Sequence, residues 1–538
     1  MKERQQEKKQ KEKMAPEERV WNEWAFHSTV WHFSAKDVIP GKLGYTSIPI
    51  LAEKLVLKYM PRGSRVLCFD DSMAPILANG EDLTNRFFSY ADFHDFTATA
   101  EEVNVSNDRK NINTVNFDGI FATVPWWILI ENNQSVRQIH EAVEPFLSRT
   151  RILLSKSFRI LQTNGFFILN TKDVIADRII PLGSLLMQQS LDAGFNLWDV
   201  VHFDFKDKKS LSSMFSSFDY LLILQKRNKG WKYLHPAKFL QNGSLQSQKA
   251  PNYAPRQEKH NCEIWNFNVG AESRTLTHGF EYHSEERYIK SKRKIYEKTL
   301  FAGKLVPQLV RKLILEYSQP NNTVYDLFVG TGTVILEGIH CGRKSFGIDI
   351  NPAAVELARR KVSAYLDSRE DSEASPTWSV ETGNAIEGIP IPGESIDLIF
   401  AHPPYWGLVK YTDFAEDLSN MRLKEYLQAI QKIFREAFRL LKPQGHLVAI
   451  IGDKRKSGLV PLGSYLVLLG LYNGFCLWDL ILNDTEFGGK QHDYFAQIKS
   501  KKYKFHLTDH DYILIFKKSG ASNSTREPWL PAILTMIS

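Results

Sequence analysis

A tetrapeptide in the second half of the chain, His402-Pro403-Pro404-Tyr405, combines a hydrogen-bond acceptor, two rigid residues and an aromatic ring. Consecutive prolines fix the backbone torsions and remove two N–H donors, so the Pro403 carbonyl can act as an acceptor. Tyr405 offers a face on which a planar ring can stack. Trp406 either adds a second apolar wall or belongs to the core. These residue types suit a site that holds a planar ring and accepts hydrogens from a polar group on it, of which an amino group is one.

An amino group on an aromatic ring is a poor nucleophile because its lone pair is delocalised. Acceptors that hold the amino hydrogens draw the nitrogen towards sp³ geometry and aim the lone pair at an electrophile, which is catalysis by positioning and electrostatics. A neutral His402 accepts through one ring nitrogen, whereas an imidazolium cannot. We therefore expect the rate of the chemical step to fall as the pH drops through the histidine pKa.

A glycine turn, Gly330-Thr331-Gly332-Thr333, follows the apolar run VYDLF and precedes a helical pattern. Glycine lets the backbone approach a ligand closely, and the N–H groups at the helix start favour an anionic group. The next apolar run, SFGIDI, ends near Asp349, where an acid can accept from ribose hydroxyls. Ile335 occupies the position of the third glycine of G-x-G-x-x-G, which argues against a nicotinamide dinucleotide site.

The elements around these residues alternate between strand and helix patterns. The runs VYDLF, KSFGIDI, DLIFA, HLVAIIG and YILIF read as strands, and VILEGIHCG, NPAAVELARRKVSAYL and LKEYLQAIQKIFREAFRLL read as helices. This alternation predicts an α/β fold with an open, mostly parallel, Rossmann-like sheet and helices on both faces. The runs WDLIL and YILIF are expected to be antiparallel at one edge.

The segments DLFVGTGT (326–333) and GIDINPAAVELARRKV (347–362) resemble the cofactor motif of class I S-adenosylmethionine-dependent methyltransferases. The pattern is closest to D-x-F-x-G-[ST]-G-T of the DNA amino-methyltransferases, and the tetrapeptide resembles their [DNS]-P-P-[YFW] motif. The resemblance implies methyl transfer from S-adenosylmethionine to an exocyclic amino group of a base in DNA, either cytosine N4 or adenine N6.

The resemblance also implies roles for single residues. The 326–333 turn would surround the methionine part of the cofactor, Asp349 would bind its ribose, and Asn384 would lie near its adenine. Lys304 is either the lysine of a closing helix or a surface residue. The implied cofactor residues are Asp326, Phe328, Gly330, Thr331, Gly332, Thr333, Asp349, Ile350, Asn384 and Lys304. The implied catalytic residues are His402, Pro403, Pro404 and Tyr405, and Tyr405 and Trp406 would bind the base.

His402 departs from the family pattern, which has Asp, Asn or Ser at this position. The following tryptophan favours cytosine N4 slightly over adenine N6, but the histidine leaves the target base open.

The two halves of the chain also resemble each other. Gly165 and Gly445, Asp173 and Asp453, Pro181 and Pro461, and Trp198 and Trp478 are each 280 residues apart. Upstream, FDGIFATVPWW (117–127) matches IDLIFAHPPYW (396–406), and downstream FDYLLILQKR (218–227) matches HDYILIFKKS (510–519). Several matches in the same order predict an internal repeat that forms a pseudo-dimer.

The first copy lacks the features expected of an active site. Asp71 and Met73 stand where the second copy has Gly330 and Gly332, and the tetrapeptide becomes Thr123-Val124-Pro125-Trp126. We expect a charged flexible tail (1–20), a degenerate methyltransferase-like domain (21–228), a linker (229–262), a catalytic domain (263–520) and a C-terminal tail (521–538). The degenerate domain would buttress the catalytic one or help to hold substrate.

Composition adds little about partners. A net charge of +7 is compatible with a polyanion but does not require one. The four scattered cysteines indicate neither a disulfide framework nor a metal site, and no apolar run is long enough to span a membrane. A cytoplasmic protein without a metal is expected. Interleaved lysines and tyrosines in 483–511 form a patch for a nucleic-acid backbone or an ordinary solvated loop.

Three functions remain open at this point. The first is a DNA amino-methyltransferase, either solitary or working with partner proteins of a restriction-modification or defence system. The second is an enzyme that methylates a base of tRNA or rRNA, although the sequence shows no recognisable RNA-binding appendage. The third is a nucleic-acid-binding scaffold in which His402 marks lost activity.

Overall fold

The computed structural model describes the two central parts of the chain and several short segments. The described residues are 30–33, 39–40, 46–47, 58–60, 64–69, 86–89, 104–105, 108–111, 116–126, 128–131, 135–205, 218–227, 234–235, 264–266, 305–367, 376–407, 410–456, 458–484, 499, 502–503, 506, 510–519, 527 and 529–530. The predicted tail (1–20), nearly all of the predicted linker (229–262), and Lys304, Asp71 and Met73 lie outside these residues.

Short strands and three helices make up the described part of the first half. The strands are β1 (Val30–Phe33), β2 (Ile39–Pro40), β3 (Thr46–Ser47), β4 (Arg65–Cys68), β5 (Arg86–Ser89), β6 (Asn104–Val105), β7 (Asp108–Asn111), β8 (Phe117–Thr123), β9 (Leu161–Thr171), β10 (Val174–Ile175), β11 (Ile179–Ile180), β12 (Asn196–Phe205) and β13 (Phe218–Gln225). The helices are α1 (Ile128–Glu131), α2 (Val136–Ile160) and α3 (Leu182–Asp192).

The described part of the second half also alternates strands and helices. Its strands are β14 (Ile264–Asn266), β15 (Thr323–Asp326), β16 (Lys344–Asp349), β17 (Trp378–Thr382), β18 (Ile396–Ala401), β19 (Leu441–Ile451), β20 (Lys454–Arg455), β21 (Leu459–Val460), β22 (Cys476–Asp484) and β23 (His510–Lys517). Its helices are α4 (Pro307–Tyr317), α5 (Thr333–His340), α6 (Pro352–Asp367), α7 (Leu423–Leu440) and α8 (Leu462–Tyr472).

Each half is built on one large sheet, and the two sheets follow the same order of strands. The first runs β1-β12-β13-β9-β8-β4-β5 and the second β14-β22-β23-β19-β18-β15-β16-β17. In both, the strand after the long helix (β9 or β19) is parallel to one neighbour and antiparallel to the other. The predicted mixed, mostly parallel α/β fold is therefore the observed one.

Interactions recur at matching positions in the two sheets. Arg65 N–H donates to Asp118 at 2.7 Å, and Thr323 N–H donates to Asp397 at 2.8 Å. The Gly183 N–H reaches the Asp173 carboxylate at 2.8 Å, just as the Gly463 N–H reaches Asp453 at 2.9 Å. Because these contacts are specific hydrogen bonds rather than general packing, they argue that the two halves share one structural plan.

The two helices α7 and α8 differ in how their apolar residues are distributed. In α7 the buried side chains include Leu423, Tyr426, Leu427 and Ile430, which is the spacing of an amphipathic helix lying on a sheet. Helix α8 is buried on all sides, from Leu462 to Tyr472. A helix that is apolar all round needs cover on every face.

The cover for α8 comes from the first half of the chain. Helix α8 packs on α3, β11 packs on β22, and β12 packs on β21. The Ser464 hydroxyl donates to the Ser184 carbonyl at 3.3 Å, and these two serines are 280 residues apart. The two halves therefore pack directly against each other, through elements that occupy matching places in their sheets.

The expectation about the sheet edge needs correction, and part of the predicted C-terminal tail is buried. The antiparallel strands β22 and β23 were expected at the edge, but the short β14 lies outside β22 and parallel to it. Within the predicted tail 521–538, Glu527, Trp529 and Leu530 are buried. Glu527 lies 3.5 Å from Arg178 and 3.4 Å from His140, so this part of the tail packs against the first half. No helix among the described residues is long and apolar enough to cross a membrane.

Candidate active site at the carboxyl ends of the second sheet

Three motifs meet at one edge of the second sheet. Strand β15 is paired in parallel with β18 and β16, so that Asp326 is opposite Phe400 on one side and Gly347 on the other. The chain leaves β15 through the glycine turn and leaves β18 through His402, two residues beyond Phe400. Parallel strands end at the same edge, which is where open α/β sheets bind ligands.

Glycine is required at the two positions of the turn for different structural reasons. Gly330 and Gly332 have φ values of +50° and +84°, which favour glycine. A Cβ on Gly332 would lie 3.0 Å from the Cβ of Ala358, so this position also permits close packing of α6. A Cβ on Gly330 would meet only the Phe328 carbonyl, at 3.9 Å, and would otherwise point into open space. Gly330 therefore leaves room at the site rather than packing against the protein.

Two carboxylates flank this turn. Asp349 accepts from the Gly330 N–H at 2.8 Å and from the Asn351 N–H at 2.9 Å, and Asp326 accepts from the Phe328 N–H at 3.0 Å. Burial, opposed by that hydrogen bond and reinforced by the charge of Asp349, raises the pKa of Asp326 to about 7. Burial likewise raises the pKa of Asp349. A cation or hydroxyl donors bound here would stabilise the charged forms of both acids.

The other predicted cofactor residues surround the turn. Thr331 and Thr333 are buried, and Phe328 and Ile350 are half-buried. Asn384 follows β17 at the same edge and is held within its own loop, where its side chain accepts from the Ile386 N–H at 3.0 Å and donates to Glu387 at 3.1 Å.

Sequence reasoning missed Gly347, which lies inside β16. A Cβ there would be 2.5 Å from the Val329 side chain and 2.7 Å from the Asp326 carbonyl, so only glycine lets β16 lie this close to the turn. A glycine within a strand pattern was the available signal.

The tetrapeptide follows β18 directly. Pro403 is buried, whereas His402, Pro404 and Tyr405 are half-buried. The Tyr405 hydroxyl donates to Asp511 at 3.0 Å, and His402 Nε2 lies 3.4 Å from the same hydroxyl oxygen. Burial, together with the charge of Asp511, keeps the pKa of Tyr405 well above its usual value. Sequence reasoning missed Asp511 as a site residue, although the matched segments 218–227 and 510–519 both carry an acid at this place.

Trp406 is packed against the protein. The residue is 8% exposed, its ring N–H donates to the Met421 carbonyl at 3.0 Å, and the Lys456 ammonium lies 3.8 Å from the ring centroid. One face of this ring is therefore covered by the lysine.

A loop between the tetrapeptide and α7 contributes Asp417, which the sequence analysis missed. Asp417 is buried and accepts from the N–H groups of Thr412 at 2.8 Å and Ser419 at 2.9 Å, which fixes the loop. Its charge contributes to the raised pKa values of Asp349 and of the nearby Tyr411. The charge of Asp417 therefore acts on an acid of the proposed cofactor site. The Asp-x-Ser pattern of a capping turn was the available signal.

The corresponding place in the first half is filled by a lysine. Lys172, at the position of Gly452, is buried and pairs with Asp219 at 2.6 Å, and its ammonium lies 5.9 Å from the centroid of the Trp126 ring. Trp126 and Asp219 match Tyr405 and Asp511 in the repeat. A buried ion pair thus takes the space beside the first tetrapeptide.

Among the described residues, no group of three or more acidic, histidine or cysteine side chains is placed to hold a metal ion. The site in the second half is instead made of backbone amides, two carboxylates, a histidine and an aromatic ring. This composition suits an organic cofactor and a planar substrate.

Comparisons with curated proteins find type II methyltransferases. M.MjaVI of Methanocaldococcus jannaschii is 34% identical over 88 residues, which are 16% of this chain and 44% of that protein. M.SfiI of Streptomyces fimbriatus is 27% identical over 94 residues, which are 17% of this chain and 22% of that protein. The chain thus spans less than half the length of either relative.

The comparison with solved structures finds matches of low overall similarity. TrmN from Thermus thermophilus matches at 19% identity and a TM-score of 0.29, over 42% of this chain and 52% of that one. Phosphoethanolamine N-methyltransferase 2 of Haemonchus contortus matches at 13% identity and a TM-score of 0.27, over 88% of this chain and all of that one.

Family models match a larger part of the chain. A model described as a methyltransferase domain covers residues 318–457. A model described as DNA methylase covers residues 117–360 and 396–531, together more than half of the sequence and including both tetrapeptide regions. The chain therefore belongs to the DNA methylase family.

Proposed function

We propose that this protein transfers a methyl group from S-adenosylmethionine to the exocyclic amino group of a cytosine or adenine in DNA. The observation that carries the proposal is the pairing of β15 with β18, which brings the glycine turn and the tetrapeptide to one sheet edge. The two motifs are 70 or so residues apart in sequence, as Gly332 and His402 show. Their meeting gives one site for a cofactor and a base.

The cofactor residues proposed from the family resemblance fit this group. Asp326 would receive the cationic amine of the methionine part, since a cation next to this buried acid stabilises its charged form. Gly330 leaves the space for that part, and Asp349 retains lone pairs for ribose hydroxyls beside the two backbone N–H groups it already accepts. When bound, S-adenosylmethionine supplies an electrophilic methyl group.

The tetrapeptide would position the base. The ring of Tyr405 stacks on a base turned out of the helix, and the Pro403 carbonyl and His402 accept the two hydrogens of its amino group. The lone pair of the nitrogen is then aimed at the methyl group. The proton released on transfer leaves the nitrogen through one of these acceptors or through solvent.

The first half would serve as a degenerate partner of the catalytic half. Lys172 and Asp219 occupy the space beside its tetrapeptide, and Thr123 and Val124 replace the histidine and the first proline. The buried contacts of α3 with α8 support a role in holding the catalytic half in shape. We place the domain boundaries at 21–228 and 263–520, and we propose a cytoplasmic enzyme, with or without partner proteins of a restriction or defence system.

Transfer of a labelled methyl group tests this function. Purified protein is incubated with labelled S-adenosylmethionine and either unmethylated DNA or total RNA. We expect label in DNA, and none with Tyr405→Ala, which should still bind the cofactor. Label in RNA alone would support an RNA enzyme, and label in neither would support a scaffold.

Calorimetric titration with the cofactor tests whether only the second half binds it. We expect one cofactor per chain. Two cofactors per chain would contradict a degenerate first half.

A further inference from the structure

Asp511 contacts the tetrapeptide from an element that carries no recognised motif. It lies on β23, next to β19 in the sheet, and its Oδ1 accepts from the Tyr405 hydroxyl at 3.0 Å. His402 Nε2 is 3.4 Å from the same hydroxyl oxygen, with the two rings at 83° to each other. The three side chains form a line from the edge of the sheet to the first residue of the tetrapeptide.

The chemistry of the three groups determines which of them donates and which accepts in each hydrogen bond. An ionised carboxylate only accepts, so the hydroxyl hydrogen of Tyr405 is directed to Asp511. The hydroxyl oxygen can then only accept from the imidazole. A neutral histidine has one protonated nitrogen, so a hydrogen on Nε2 places the lone pair on Nδ1.

We propose that Asp511 is a positioning residue which, through the Tyr405 hydroxyl, holds His402 in the tautomer with its hydrogen on Nε2. Nδ1 is then the acceptor for a hydrogen of the target amine. This inference rests on the proposed function, in which His402 takes the place of the Asp, Asn or Ser of related tetrapeptides. It explains how a histidine, whose Nδ1 accepts in one neutral tautomer only, serves at this position.

The comparison between the two halves supports a specific role for the acid. The first half keeps an acid at the matching position, Asp219, but Lys172 pairs with it at 2.6 Å and Trp126 has no hydroxyl. In the second half the lysine is replaced by Gly452. A Cβ on Gly452 would lie 2.8 Å from Asp511 Oδ1 and 2.9 Å from Tyr405 Cε2. Glycine therefore leaves the Tyr405–Asp511 contact intact where a side chain would separate it.

The tautomer can be read directly by nitrogen NMR of the full chain labelled with [¹⁵N]histidine, with the His402 signals assigned by their loss in His402→Gln. At pH 8 we expect an unprotonated Nδ1 and a protonated Nε2. In Tyr405→Phe, which keeps the ring but removes the hydroxyl, both signals should shift towards a mixture of tautomers.

The control for Tyr405→Phe is Tyr426→Phe, because the buried Tyr426 hydroxyl has no hydrogen-bond partner among the described residues. This variant should leave the His402 signals unchanged. A hydrogen on Nδ1 in the wild type, or identical His402 signals in Tyr405→Phe and the wild type, would overturn the proposal.

Single-turnover methyl transfer tests the consequence for the reaction. Asp511→Ala should slow the step by about ten- to a hundredfold, the range for a lost hydrogen bond to a charged group, with the cofactor affinity unchanged. Asp511→Asn keeps an acceptor oxygen, so it should retain more of the rate and keep the wild-type tautomer. Equal losses in both variants, with the tautomer unchanged, would reduce Asp511 to a structural residue.

The failure of this inference can be told apart from failure of the proposed function. If His402→Ala transferred methyl groups at the wild-type rate, His402 would not be the acceptor, whatever its tautomer. If that variant is slow but the tautomer does not depend on Tyr405, only the role of Asp511 is wrong.

Discussion

At the scale of single residues, Gly330 has two possible functions. It adopts a backbone conformation that favours glycine, and it leaves space for a ligand, and a comparison with Gly342 distinguishes the two. Its φ is +50°, and a Cβ there would meet no protein atom closer than 3.9 Å. Gly342 also has a positive φ, +72°, and a Cβ there would meet nothing within 4 Å. The two glycines therefore share the conformational constraint but differ in position, because only Gly330 borders the proposed cofactor site.

We expect Gly330→Ala and Gly342→Ala to cost similar free energies of unfolding, about 1–2 kcal/mol for an L-residue in the left-handed region. Only Gly330→Ala should weaken cofactor binding, since its methyl group would occupy the space for the methionine part. Urea denaturation and calorimetric titration measure the two effects. Equal cofactor affinities for the two variants would place the cofactor elsewhere.

At the scale of secondary-structure elements, a buried acid links the end of β9 to the start of α3. The Asp173 carboxylate accepts from the Gly183 N–H at 2.8 Å and from the Tyr220 hydroxyl at 2.6 Å. Burial, only partly offset by these hydrogen bonds, raises the pKa of Asp173 to about 6. Because the folded pKa is above the unfolded value, this group's contribution to stability is complete below about pH 4 and is lost as the pH rises through 6.

Asp173→Asn keeps an acceptor oxygen but does not ionise. Between pH 5 and pH 8 the wild type should therefore lose about 1 kcal/mol of unfolding free energy relative to this variant, from 1.36 kcal/mol per pKa unit. Urea unfolding at both pH values measures the difference. Asp367→Asn, at the exposed end of α6, is the control and should follow the wild type. A wild type and an Asp173→Asn variant with parallel pH dependence would refute the titration of a buried Asp173.

The elements of the second half could largely be predicted from the sequence, and those of the site only in part. The strand runs and helix periods place β15, β16, β18, α5 and α6 within a few residues of their observed bounds, because each has a clear apolar pattern and the turn needs its glycines. Asp511 and Asp417 could not be identified, because their roles depend on which strands and loops become neighbours in space. Trp406 shows the converse: an aromatic residue beside a catalytic motif proved to be packed.

At the scale of the whole molecule, the two halves are joined by buried polar contacts as well as by helix packing. Asp199, on β12 of the first half, is fully buried and accepts from the Arg455 guanidinium of the second half and from the Tyr59 hydroxyl. His506 N–H also donates to it, at 2.9 Å. The contacts of Asp199 with Arg455 and His506 could not be predicted from sequence patterns, because they join residues more than 250 positions apart.

Arg455→Met should lower the free energy of unfolding by about 3 kcal/mol, because it removes the guanidinium that pairs with a buried carboxylate. The midpoint of thermal unfolding measures the loss, and Arg435→Met on the exposed side of α7 is the matched control. Adding Asp199→Asn to Arg455→Met should recover part of the loss, because it removes the uncompensated charge. Arg455→Met with wild-type stability would show that the pair does not hold the halves together.

The most direct test of the account is the identity of the modified nucleoside. DNA from cells that express the wild-type chain, or a Tyr405→Ala variant, is digested to nucleosides and analysed by mass spectrometry. We predict N4-methylcytosine or N6-methyladenine in the wild-type sample above the level in cells lacking the protein, and none above that level with Tyr405→Ala. A wild-type sample without either nucleoside, or an equal amount of it with Tyr405→Ala, would contradict base amino-methylation at the His402–Tyr405 site.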